Sequence, residues 1–180
     1  MKKVHSTAEV SNKAEIGEGT VIWHHVQVRD NVKIGGNCNI GKNVYVDSGV
    51  IIGDSVKVEN NVSVYNARIG DDVFIGPGVM FTNDKYPRAF LWDEDRMGDL
   101  IVVGKGASIG ANSTLITGVK VNDYAMVGAG SVVSKDVPKH ALVLGVPAKI
   151  VGFVCKCGRK GEVVDGILKC EFCGEVNKIE

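Results

Sequence analysis

An all-β solenoid, wound as a three-sided prism of short parallel strands, is the fold this sequence predicts. Three observations carry it. An aliphatic residue recurs at every sixth position. Val and Ile total 44 against 6 Leu in 180 residues, and 23 glycines are available for tight corners. β-Branched residues and glycine favour strands and corners, whereas a helical bundle of this size would hold more Leu and Ala.

The series starts at Val4 and runs through Val10, Ile16, Ile22, Val28, Ile34, Ile40, Val46, Ile52 and Val58 to Val64. One step is then five residues long, to Ile69, followed by Ile75 and Phe81. The series resumes at Val103 and continues through Ile109, Leu115, Val121 and Val127 to Val133. Four residues after nearly every member stands a small or modest side chain, among them Ala8, Thr20, Val26, Cys38, Val62 and Ser113. Three residues after it come Gly19, Asn31, Asn37, Asn43, Gly49, Asn61, Asp72, Gly78, Gly106, Asn112, Gly118, Gly130 and Asp136. These types tolerate positive φ. Each hexapeptide thus reads as a short strand and a corner, with alternate side chains turned inward. Three sides make an 18-residue coil. Nineteen such steps predict about six coils, or a prism roughly 30 Å tall at ~4.8 Å per layer. A β-sandwich would not hold a six-residue phase for so long.

Lys plus Arg and Asp plus Glu are 21 each, so no basic excess points to nucleic acid. No apolar run approaches the roughly 20 residues of a membrane helix. MKKVHSTAEV lacks the apolar stretch of a signal peptide, which makes a cytoplasmic protein the expectation.

A repeat is scaffold, so function is expected where it fails. The first failure is the short step Val64-Tyr65-Asn66-Ala67-Arg68. The second is the excursion between Phe81 and Val103, an external loop over about 82–102. It carries Asn83, Arg88, Trp92 and Arg96 and suits a flap over a binding site. The third is the tail after Ile150. At Trp23-His24-His25, His25 takes a corner position that histidine tolerates. His24 points outward, where a neighbour or ligand could meet it.

The repeat resembles the hexapeptide acyltransferase superfamily over residues 4 to about 150, including the closing Gly145-Val146-Pro147-Ala148-Lys149. That resemblance implies a left-handed parallel β-helix, an exception to the right-handed rule for parallel crossovers. It also implies a homotrimer, with acetyl-CoA held between neighbouring prisms. Glu59-Asn60-Asn61-Val62-Ser63-Val64-Tyr65, and Phe81-Thr82-Asn83 with Pro87-Arg88, are similar to the nucleotide-sugar 3-N-acetyltransferases. The resemblance extends to the type acting on UDP-2-acetamido-3-amino-2,3-dideoxy-glucuronate, some of which carry a cysteine-rich tail. Relatives often have Gln where this chain has Glu59.

The implied reaction is attack of a sugar 3-amino group, on a UDP- or dTDP-linked substrate, at the thioester of acetyl-CoA. An alcohol would want a general base, and no His lies between His25 and His140. An amine needs less help. The resemblance makes Asn83 the residue that aligns the amine. Gly110 is the expected region of an oxyanion-holding amide. Arg88 suits a carboxylate or phosphate. Glu59, Asn60, Tyr65 and His24 are the other substrate contacts, and Lys149 is the candidate for the CoA phosphates. The alternative is an O-acetyltransferase acting on a sugar or serine hydroxyl.

In the tail, Cys155-Lys-Cys157-Gly and Cys170-Glu-Phe-Cys173-Gly read as two knuckles of a small zinc ribbon over 151–180. Four thiolates leave no open position, so the Zn²⁺ is expected to be structural. About thirty residues need such a staple. Cys38 falls on an inward position. A γ-type carbonic anhydrase would need three histidines in a pattern that is absent. A flat ice-binding surface would need an outward row of Thr, where the chain has Val21, Gln27, Lys33, Asn39, Tyr45, Ile51 and Lys57.

Overall fold

The computed structural model describes residues 2–91 and 97–179, and all counts and absences below refer to these. They contain no helix. Strands of two to four residues stack in parallel to form three faces. The first face runs from Lys3–Val4 to Ala141–Leu144. The second runs from Glu9–Val10 to Val132–Val133 in seven strands, and the third from Glu15–Ile16 to Lys120–Val121 in six.

Ile22, Ile40, Val58, Ile75, Ile109, Val127 and Val143 lie directly on one another along the first face. Each is at most 3% exposed. Burying one such side chain contributes roughly 1.5–3 kcal/mol, and the second and third faces carry equivalent buried columns. Val4, with no coil above it, is 42% exposed. The first face holds eight strands before the tail continues it, so the prism is taller than six coils. Ala141–Leu144 lies beyond the periodic series and still docks in register on Met126–Val127.

Most corners take the positive φ expected of their Gly, Asn and Asp residues. His25 (φ 56°) is one of these corner residues. Two further points differ from expectation. Ser55 and Tyr124 also sit at positive φ, although their residue types gave no signal, and so does His140, which lies beyond the periodic series. Asp136 does not. It accepts a hydrogen bond from the Lys120 N–H (2.8 Å) and thereby caps the corner one coil earlier. Cys38 is buried in the core.

Beyond Pro147 the chain reverses. Lys149–Val154 pairs antiparallel with Ala141–Leu144, and Lys160–Val164, Ile167–Lys169 and Val176–Lys178 follow as an antiparallel meander. His140 holds the junction. Its Nδ1 lies 2.9 Å from the Val154 carbonyl, and its ring stacks on Tyr124 at 5.4 Å. Lys156 of the tail sits over the other aromatic, with its Nζ 5.5 Å from the Tyr124 ring centre, and pairs with Glu175 at 2.8 Å.

Burial lowers the His140 pKa, and its buried Nε2 has no partner. The unfolded chain therefore takes up the extra proton first. The stability from a neutral His140 is complete above the unfolded value of about 6.5 and is lost as pH falls below it. Melting temperature is expected to fall more steeply between pH 7.5 and 5.5 in the wild type than in His140→Asn, which tolerates the corner. Equal slopes would remove His140 as the source.

Candidate active site and metal centre

The sequence-predicted site residues fall on two different edges of the prism. His24, Glu59, Asn60 and Gly110 lie on the edge between the first and second faces. Tyr65, Asn83 and Arg88 lie on the edge between the second and third. From Asn60 to Tyr65 the chain crosses a whole face, about 16 Å at ~3.3 Å per residue. One chain does not bring the two sets together. Lys149 stands apart at the C-terminal end, in a groove of about 350 Å³ lined also by Val133, Lys135, Asp136 and Pro147.

The upper part of the first edge is rich in side chains. Trp23, His24, Asn39, Gly41, Lys42, Glu59 and Asn60 line a pocket of about 300 Å³. Trp23 Nε1 donates to Asn39 Oδ1 at 2.6 Å, and His24 stacks on His5 with ring centres 3.5 Å apart. Glu59 Oε1 pairs with Lys57 at 2.9 Å. Asn60 Oδ1 accepts from the Lys42 N–H at 2.9 Å.

The lower part of the same edge is bare. Its corners are Gly76-Pro77-Gly78, Gly110-Ala111-Asn112 and Gly128-Ala129-Gly130. A side chain on Gly110 would collide with the Gly128–Ala129 backbone, so glycine is required there. The Gly110 N–H itself donates to the Val127 carbonyl at 2.7 Å and is not free. The next amide, Ala111 N–H, has no intramolecular acceptor. The sequence carries a signal for it. At several corners an Asp or Asn one coil later caps this amide, as Asn60 caps Lys42 and Asp123 caps Lys105, whereas His24 and Asn60 on this edge are followed by Lys42 and Pro77 and share the lack of a cap. One coil after Ala111 comes Ala129.

On the second edge the short step and the loop form one device. Asn66 turns the corner at φ 37° and donates from Nδ2 to the Gly98 carbonyl at 3.0 Å, while its own carbonyl accepts from Ile101 N–H. Thr117 N–H donates to Thr82 Oγ1 (2.9 Å), and Thr117 Oγ1 donates to the Asp99 carbonyl (2.8 Å). The Gly98 N–H donates to the Asn83 carbonyl at 2.7 Å. Asn83 is thus fixed through its backbone at the loop base, half-buried, while its side-chain amide makes no hydrogen bond. Arg88 is exposed further out and donates only to the Pro87 carbonyl at 2.9 Å. Tyr65 packs against Tyr45 at 5.1 Å. Trp92 and Arg96 lie outside the described residues. Asn66 and Thr117 were not singled out in the sequence because they act by clamping backbone.

In the tail the sulfurs of Cys155, Cys157, Cys170 and Cys173 all lie within 4.8 Å of one another. Cys155 and Cys173 are 3.5 Å apart, and Cys157 and Cys170 are 3.6 Å apart. A disulfide would need ~2.05 Å, and all five cysteines are free. A tetrahedral ion with Zn–S bonds of ~2.3 Å needs sulfurs about 3.75 Å apart, so the four cysteines fit a metal. The backbone N–H groups of Cys173 and Phe172 face the Cys170 sulfur and hold its thiol down at about 7. Burial pushes the Cys155 thiol up and the neighbouring thiols push Cys173 up to about 12, so without an ion the four do not ionise together.

Residues 26–66 match the family described as hexapeptide repeat of succinyl-transferase, and residues 101–135 match bacterial transferase hexapeptide (six repeats). Both matches fall on the stacked 18-residue coils, so the hexapeptide repeat read in the sequence is the repeat that builds the prism. It is 51% identical over 74 residues to dTDP-3-amino-3,6-dideoxy-alpha-D-galactopyranose 3-N-acetyltransferase of Aneurinibacillus thermoaerophilus, covering 41% of this chain and 38% of that one. It is 40% identical over 94 residues to serine acetyltransferase 4 of Arabidopsis thaliana, covering 49% of this chain and 22% of that one. The chain thus spans well under half the length of either curated relative. A hexapeptide-repeat-containing acetyltransferase of Vibrio cholerae, solved with acetyl coenzyme A, superposes with a TM-score of 0.58 at 29% identity. The match covers 66% of this chain and 68% of that one.

Two outcomes follow from this geometry. Asn66→Gly keeps the corner conformation but removes one clamp, worth about 1 kcal/mol net. Amide exchange at Gly98 is expected to quicken about fivefold with the prism intact; an unchanged rate would mean that the clamp carries nothing. Metal analysis is expected to find about one zinc per chain, the ratio of one tetrahedral ion to four thiolates, with loss of the metal in Cys170→Ser. A folded, metal-free tail under reducing conditions would contradict this.

Proposed function

We propose that this chain is a cytoplasmic, acetyl-CoA-dependent N-acetyltransferase acting on the 3-amino group of a UDP- or dTDP-linked sugar. The observation that carries the reading is Asn83, held by its backbone at a clamped loop base, with no hydrogen bond to its side-chain amide among the described residues. The stretch of identity with a dTDP-sugar 3-N-acetyltransferase supports the acceptor class. The complex of the Vibrio cholerae relative supports the donor.

In this reading the chain assembles as a homotrimer, and the second edge of one copy faces the first edge of the next. That pairing unites Asn83, Arg88 and Tyr65 with the neighbour's Glu59, Asn60 and His24. The Asn83 side-chain oxygen accepts a hydrogen bond from the sugar amine and aligns its lone pair with the thioester carbonyl. Proximity supplies much of the rate. The Ala111 N–H, adjacent to the expected Gly110, steadies the developing oxyanion. Collapse of the tetrahedral adduct breaks the C–S bond, and the departing thiolate takes up the amine proton. Arg88 holds the sugar carboxylate or a phosphate, and Lys149 meets the CoA phosphates. The four cysteines hold a structural Zn²⁺ in a tail domain over 151–180.

The amine is preferred because it needs no strong base. His140 is buried away from both edges, and the loop residues 82–91 carry no histidine. The similarity to a serine acetyltransferase favours the second reading, transfer to a hydroxyl, in which a neighbour's His24 would be the base.

Mass spectrometry of products from acetyl-CoA and paired 3-amino and 3-hydroxy nucleotide sugars tests this directly. A gain of one acetyl on the amino member alone is expected, and acetylation of the hydroxy members alone would reverse the reading. Asn83→Ala is expected to keep the fold and lose an order of magnitude or more in turnover, as removal of a positioning group does. Wild-type turnover in that variant would remove Asn83 from the mechanism.

A further inference from the structure

The pocket on the upper first edge has features that catalysis at Asn83 does not use. Gly41 sets it. Trp23 and Glu59 occupy the same corner position two coils apart, about 9.6 Å at ~4.8 Å per layer, and the intervening Gly41 has no side chain to fill the gap. Trp23 forms one wall and is pinned. Its Nε1 donates to Asn39 Oδ1, and Lys3 Nζ lies 5.8 Å from the ring centre. The indole is 39% exposed, and the His24 ring lies nearly parallel to it with centres 6.3 Å apart.

The polar groups opposite form a pattern. Asn39 and Asn60 use their carbonyl oxygens within the chain, on Trp23 Nε1 and Lys42 N–H, which leaves both Nδ2 groups as free donors. Glu59 uses Oε1 on Lys57 and keeps one free acceptor oxygen. The pocket therefore offers a single acceptor together with two donors. A uracil or thymine ring presents the complement, one imide N3–H between two carbonyls. Cytosine presents an acceptor at N3. Guanine presents two adjacent donors, which one carboxylate oxygen does not match.

We infer that this pocket is the base subsite for a uracil or thymine nucleotide, with the ring on Trp23, its imide N–H on Glu59 and its carbonyls on Asn39 and Asn60. Lys42, exposed at the rim, lies where the first phosphates leave the pocket. The inference deepens the proposed reading, since it rests on a nucleotide-linked substrate, and it turns Glu59 from a sugar contact into the residue that selects the base.

Calorimetric titration of the full chain with UDP, dTDP, CDP and GDP tests it without catalysis. UDP and dTDP are expected to bind at least about tenfold more tightly than CDP or GDP. Trp23→Ala is expected to weaken UDP binding about tenfold or more, the scale of one base stacked on an aromatic side chain, and Trp23→Phe to restore most of it. Glu59→Gln is expected to narrow the gap between UDP and CDP, because an amide can turn its NH₂ toward cytosine N3. Melting curves check that each variant is folded. Equal affinity for all four nucleotides, or unchanged UDP affinity in Trp23→Ala, overturns the subsite. If sugar acetylation proceeds while these variants leave nucleotide preference untouched, the subsite falls and the transferase reading stands. If UDP selectivity depends on Trp23 and Glu59 but no amino sugar is acetylated, the subsite stands and the transferase reading falls.

Discussion

Each coil must lie in register on the one beneath it, and the rest of the structure follows from that constraint. Val58 sits on Ile40 and under Ile75 because the same residue of each strand pairs with its counterpart one coil away. Inward positions then have no freedom of size, and corners have no freedom of backbone. Asn31, Asn43, Asn61 and Asn112 take positive φ because a two-residue strand leaves too little chain to turn in any other way. Side chains that carry chemistry are left the outward positions and the corners. A corner ladder along one edge is the longest continuous surface the fold offers, which is why the first edge holds both the aromatic pocket and the bare track.

The two departures from the 18-residue coil are one structural event. Between Val58 and Ile75 the step is 17 residues, and between Ile75 and Ile109 it is 34. The excursion leaves the second edge and must re-enter it one layer below the short corner. Asn66 meets the returning chain with its side chain on Gly98 and its carbonyl on Ile101. The short corner and the returning chain meet directly through these two bonds. The missing residue at 65–66 and the insertion after Phe81 therefore belong to the same solution. Asn83 gains its fixed position from that solution and from its own backbone bond to Gly98, not from its side chain.

The period, the inward column and most corners were legible in the sequence because each depends on one residue type at one spacing. Asn83, Glu59 and the four cysteines could be named because their chemistry is carried by the side chain itself. Ser55 and Tyr124 escaped as corners because their residue types carry no preference for positive φ, and His140 because it lies beyond the periodic series. The Tyr124–His140 stack and the tail above it pack the last two of these corners. The division of the site between two edges was also hidden. Sequence order puts Glu59, Asn60 and Tyr65 side by side, yet one strand of the second face separates Tyr65 from the other two. Gly110 was expected to mark the region of a free amide, but its own N–H is bonded to the Val127 carbonyl. Its glycine identity instead answers the close approach of the next coil, and its amide serves the ladder.

The first edge changes character at one level, and the change has a physical cause. Down to Asn60 each corner carries a side chain able to cap the amide one coil above or to reach outward. Pro77 then supplies a corner with neither an amide to cap nor a polar side chain. Below it Ala111 presents an amide that nothing in the chain satisfies. An exposed, uncapped N–H in water is no burden, but covered by a neighbouring chain it would cost on the order of 1–3 kcal/mol unless an acceptor arrived with the cover. A smooth corner with one unsatisfied donor is therefore a surface that favours a carbonyl-bearing guest over closure by protein alone. The polar pocket above favours a planar ring with matched edges. The boundary between them falls at Asn60 and Pro77, the level at which the loop bearing Asn83 leaves the opposite edge.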